Sequence, residues 1–145
     1  MPEIHLIVGV ALIVLNLAAF AAGGVAWLRS RPSISFWYLL RAAQLAVFLQ
    51  ALLGALLVFG GREPPDDLHY LYGIAPLFVS FLAEGARAGA AQRELGELDF
   101  ESLPEAEQQE LALAIVRREM GIMAVSCGVI LFLGLRAAGT SGAIF

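Results

Sequence analysis

Residues 4–15 read Ile4-His5-Leu6-Ile7-Val8-Gly9-Val10-Ala11-Leu12-Ile13-Val14-Leu15, and this stretch decides the fold. It opens an apolar run that continues to Leu28 without a carboxylate or an arginine. A helix needs about 20 such residues to cross the hydrocarbon core of a bilayer. The run shows no strand-like alternation, and a helix satisfies its own backbone polar groups where water is absent. Pro2 suits the first turn of that helix, and Glu3 suits the positive end of its dipole. The run is too long for a cleavable signal peptide and lacks a basic leader, so a retained first helix is expected.

Working outward, the same pattern recurs. Arg29-Ser30-Arg31-Pro32 closes the first segment, and Gly60-Gly61-Arg62-Glu63-Pro64-Pro65-Asp66-Asp67 closes the second. No helix continues through either turn. Asp66 is expected to cap the third segment. Ser102-Leu103-Pro104-Glu105 fits a capping box ahead of the fourth, and Gly139-Thr140-Ser141-Gly142 reads as a frayed tail. Helices are thus expected at about 4–28, 33–59, 67–90 and 104–136, with an acidic cytoplasmic loop at about 93–110. The expected fold is all-α: a polytopic membrane protein, one domain over residues 1–145, forming a four-transmembrane-helix antiparallel bundle built from two hairpin repeats.

Composition agrees. Of 145 residues, 59% are hydrophobic and 15% charged, against about a quarter charged in soluble domains; mean hydropathy is +0.78. All nine cationic side chains are arginines, and none forms a basic face that suits nucleic acid. Cys127, alone in the last apolar run, has no intramolecular disulfide partner and reads as a small buried residue.

The arginines set an expected orientation. Arg29, Arg31, Arg87, Arg93, Arg117 and Arg118 fall on one side, and only Arg62 and Arg136 on the other. The positive-inside rule then places both termini outside the cell (inner) membrane. Trp27, Trp37 and Tyr38 fit an inner aromatic belt, and Tyr70 and Tyr72 an outer one.

The opening stretch has a counterpart, His69-Tyr70-Leu71-Tyr72-Gly73-Ile74-Ala75. Both read His, three residues, Gly, a β-branched residue, Ala, and they hold the only two histidines. His5 and Gly9 share a helix face, as do His69 and Gly73. Gly54 to Gly60 and Gly128 to Gly134 share a spacing too, which suggests parallel hairpin repeats about an axis along the membrane normal. Such an axis turns His5 and His69 toward one central group. Zinc takes four ligands, or three and a water, and no third His, second Cys or outer carboxylate pair completes that set. Haem iron needs two axial ligands only, and Gly9 and Gly73 leave room for a flat macrocycle. The expectation is one haem b held by His5 and His69 and used for electron transfer. The plainer reading is that each His is an interfacial polar residue, and that duplication left matching contexts without a shared ligand.

Leu49-Gln50-Ala51-Leu52-Leu53-Gly54-Ala55-Leu56-Leu57-Val58, an outer turn, then Leu68-His69 resembles the middle of one half of the heme A synthase family. That resemblance implies a four-helix bundle whose first and third helices carry haem-ligating histidines at their outer ends. His69 matches the later histidine. His5 matches the earlier one loosely: Glu3 lies two residues ahead rather than three, and Leu6 stands where the family has Arg. The family's outer-loop cysteine pair and its second half have no counterpart. Four-helix b-type membrane cytochromes resemble this plan equally, so haem binding is implied and heme A synthesis is not.

Arg41 and Glu84 fall at matching depths, about 12 and 9 Å from the inner ends of their helices, so an intramembrane ion pair is expected, extended by Arg87, Arg117, Arg118 and Glu119. Asn16 and Gln50 are expected to meet by an interhelical hydrogen bond near mid-membrane, with Gln44 in a similar role. The acidic loop reads as a solvated amphipathic helix. No nucleophile–histidine arrangement and no glycine-rich nucleotide loop points to an enzyme. Two further readings stand beside haem: a cofactor-free accessory or structural subunit of a larger membrane complex, and a small transport or quinone-binding protein using Arg41 and Glu84. Candidate partners are the lipid bilayer, a redox partner or larger complex, and a second copy of the chain.

Overall fold

The computed structural model describes residues 2–64 and 66–141. It is all-helical: α1 Pro2–Leu28, α2 Ile34–Phe59, α3 Leu68–Leu95 and α4 Glu105–Thr140, with one turn of 3-10 helix at Phe100–Ser102 before α4. Three of the four, α1, α2 and α4, are long and apolar enough to cross a membrane. The sequence predicts four. The 28-residue α3 is long enough, but His69, Tyr70, Tyr72 and Pro76 dilute its first half, and Glu84 and Arg87 its second.

Local chemistry sets the helix ends. The Phe36 N–H donates to Ser33 Oγ at 3.2 Å, capping α2. At the end of α1 the Arg31 N–H donates to Ala26 O and the Ser30 N–H to Trp27 O, both at 3.0 Å. This closing turn needs a left-handed residue, and Ser30 supplies it at φ +52°. α2 closes the same way through Gly61 at φ +76°, with Arg62 N–H on Leu57 O and Gly61 N–H on Val58 O.

Four local expectations need correction. Asp66 takes the Leu68 N–H at 2.9 Å, but Asp67 is the flanking residue of α3. α3 runs on to Leu95, because Ala90-Ala91-Gln92-Arg93-Glu94-Leu95 are good helix formers that stop only at Gly96. The capping box at Ser102 does not form: its hydroxyl donates back to Asp99 O at 2.7 Å, and α4 begins after Pro104. Gly139 and Thr140 belong to α4 rather than to a frayed tail, with Thr140 Oγ1 donating to Ala137 O at 3.0 Å. Gly142 of that tail and Pro65 of the outer turn lie outside the described residues.

Glycines admit large side chains along the α1–α4 seam. A Cβ at Gly121 would lie 2.8 Å from the Trp27 indole, one at Gly128 3.0 Å from the Phe20 ring, and one at Gly134 3.0 Å from Leu12. On α1 itself, Gly23 makes room for Phe36, which is fully buried. Phe36, Leu40, Met120, Met123 and Cys127 centre the larger core cluster; Leu12, Ala46, Val47 and Ile130 form a smaller one. α1 packs along both α2 and α4, and α3 packs along α4. α2 meets α3 only lightly. An exact twofold between the hairpins would equalise the α1–α4 and α2–α3 seams, and they differ.

Candidate functional site

Each end of the bundle carries a polar cluster. At the first, the opening turns of α1 and α3 meet the later part of α2 and the end of α4. His69 sits in the first turn of α3, where its N–H donates to Asp66 O at 3.0 Å. Its ring Nδ1 lies 3.0 Å from Ala137 O on α4. A carbonyl only accepts, so Nδ1 carries a proton, and in the neutral ring Nε2 then keeps a lone pair. Metal-binding imidazoles are commonly held in this way, by a hydrogen bond from the nitrogen that does not bind.

His5 is half-buried opposite α2. Its Nε2 lies 3.2 Å from Gln50 Nε2, and a Cβ on Gly54 would lie 3.4 Å from its Cε1. His5 Nδ1 and Gln50 Oε1 are both buried and have no hydrogen-bond partner. Buried polar atoms are normally satisfied, so this pair is incomplete as it stands. Turning the amide end for end makes Gln50 Oε1 the acceptor of the His5 Nε2–H and leaves His5 Nδ1 with a lone pair.

The structure brings the two histidines together. Their ring centroids are 6.2 Å apart and their planes are inclined at 60°. Two imidazoles binding one ion from opposite sides at about 2 Å each would place their centroids about 6 Å apart. Gly73, one turn along from His69, has nothing within 4 Å of where a Cβ would be. Gly9 has no such opening, since Gln50 Nε2 lies 3.0 Å from its Cβ position. The described residues hold no group of three or more His, Cys, Asp and Glu side chains placed for a metal. A haem needs two axial nitrogens and a flat opening, and the geometry offers the spacing, one committed tautomer and one open glycine face.

The second cluster joins the start of α2, the later half of α3 and the middle of α4. Arg41 Nη1 lies 2.6 Å from Glu84 Oε1, and Gln44 Nε2 donates to the same oxygen at 2.7 Å. Arg87 Nε donates to Glu84 Oε2 at 2.8 Å, reaches Glu119 at 3.7 Å, and stands 5.9 Å from the Trp37 ring centre. Arg118 pairs with Glu94. Arg117 makes no ion pair among the described residues.

Some expected neighbours do not meet. Asn16 is buried, but its amide donates to Leu12 O of its own helix at 2.9 Å, while Gln50 turns to His5. Gln50 lies level with His5 and Gly9, and Asn16 stands seven residues beyond Gly9 on α1, about 10 Å farther along the helix, so the two amides differ in depth. Sequence reasoning also missed Ala137, because a backbone acceptor carries no side-chain signal, and it missed Arg136, whose guanidinium lies 5.5 Å from the Tyr72 ring centre. Tyr72 three residues after His69 was a legible hint, since that spacing shares a face. The chain matches no family model, no curated protein and no solved structure.

Proposed function

We propose that this protein is a small membrane cytochrome-like electron carrier that holds one haem b between His5 and His69. The observation that carries this reading is the 6.2 Å approach of two imidazoles from α1 and α3, helices that share little direct contact. His69 would bind through Nε2, steadied by Ala137. His5 would bind once the Gln50 amide has turned or withdrawn. The group itself would supply reversible one-electron chemistry at iron, and His5 and His69 would hold it.

The same reading takes α3 as a fourth span in an antiparallel bundle. α3 exposes Phe81 and Leu82 mid-helix, at 66% and 73%, which suits lipid better than water. Contacts along the α1–α4 seam run down one helix as they run up the other, as antiparallel neighbours require. In the orientation set by the arginines, the haem end faces outside and the Arg41–Glu84 end faces the cytoplasm. The hairpin repeat then survives in the histidine contexts and not in the seams. A redox partner would dock at the outer end. In this reading Glu84, with Arg41 and Gln44 of α2 and Arg87 of α3 as partners, pins α2 to α3.

A reduced-minus-oxidised spectrum of the protein purified in mild detergent from haem-replete cells tests this. A sharp α-band with a shifted Soret band is expected. A featureless visible range removes haem and leaves the accessory-subunit reading.

A further inference from the structure

Near the histidine pair stands a cation that makes no ion pair among the described residues. Arg136 precedes Ala137, whose carbonyl holds His69, and its guanidinium lies 5.5 Å from the ring centre of Tyr72. No carboxylate lies within ion-pair distance of it among the described residues. Arg136 is exposed, one turn from the end of α4 at Thr140. An arginine lying over an aromatic face is steadied there while its N–H edge stays free for a planar anion. That edge is shaped to take a carboxylate with two parallel hydrogen bonds. Tyr72 shares a helix face with His69, and the next residue, Gly73, faces open space.

We infer that Arg136, held over Tyr72, is the anchor for an acidic side chain of the macrocycle bound between His5 and His69. This rests on the haem reading above. The ligand class is a flat, largely apolar dicarboxylate.

The test compares two probes on the full chain in detergent: protohaem and its dimethyl ester, which has the same iron and ring but no free carboxylate. The wild-type protein is expected to bind the diacid about tenfold or more tightly than the ester, as a charge-assisted hydrogen bond requires. Arg136→Gln should bring the two affinities together, within about twofold, while the bis-imidazole spectrum persists. Arg136→Lys should keep part of the preference, because it retains the charge and loses the fork. If the wild-type protein binds both probes equally, or if Arg136→Gln leaves the preference intact, the inference falls and the haem reading stands. If neither probe yields a bis-imidazole spectrum, both readings fall.

Discussion

His69 and His5 are held in different ways. His69 leans on a backbone carbonyl, which no substitution at its own position removes; His5 leans on the Gln50 side chain. His69→Ala is therefore expected to abolish a haem spectrum, and Arg41→Ala, at the other end of the bundle, to leave it unchanged. Gln50→Leu should keep the spectrum while shifting the midpoint potential, measured by redox titration, since hydrogen bonds around a ligand tune its metal. A potential unmoved by Gln50→Leu would separate Gln50 from the site. Ser30 poses a purely conformational question at the same scale. Its φ of +52° is strained for any residue with a Cβ. Ser30→Gly is expected to stabilise the protein by about 0.5–1 kcal/mol, and Ser30→Val to destabilise it by more. Thermal unfolding in detergent reads both.

Among the elements, α1 shows how adjacent glycines differ by what they face. A Cβ at Gly23 would intrude on Phe36, which is buried and has nowhere to go, whereas Gly24 has nothing within 4 Å. Gly23→Ala should cost about 1–3 kcal/mol through overpacking. Gly24→Ala should be neutral or slightly stabilising, because alanine is the better helix former. Equal effects at the two sites in thermal unfolding would count against this packing of α1. The same contrast marks the limit of reading elements from sequence. Apolar run lengths and the polar turns that end α1 and α2 are local, and they were legible. The capping chemistry ahead of α4 was not: the helix begins at Glu105, within a residue of the expected start, but Ser102 turns its hydroxyl back to Asp99 and no capping box forms. The composition of α3 also lies between classes: its apolar stretches are real, but tyrosines, Pro76, Glu84 and Arg87 interrupt them.

For the whole molecule, the polar clusters divide the labour between two ends. Glu84 accepts from Arg41, Gln44 and Arg87, and so ties α2 to α3 where their seam is light. Glu84→Gln would leave two arginines under-compensated at a partly screened site. A loss of about 1–3 kcal/mol in detergent is expected, with any haem spectrum retained. Loss of the spectrum with stability unchanged would instead move function to this cluster. Orientation has its own test. A cysteine placed at Glu3 should react with a membrane-impermeant thiol reagent on intact cells, and one at Ser102 only after the membrane is opened. The reverse pattern would invert the orientation.

By itself, the sequence determined that the chain is helical and apolar enough for a membrane, where its turns fall, and that two histidines open helices one and three at similar depth. These properties follow from run length, capping chemistry and helical spacing, all of which act within a few residues. Only the tertiary structure decided that Gln50 meets His5 while Asn16 turns to its own helix, that Ala137 holds His69, and that Arg136 lies over Tyr72. Those contacts depend on how each helix is rotated about its axis and on which neighbour it packs against. That choice is made by bulky side chains filling glycine gaps across whole seams, and no local stretch encodes it.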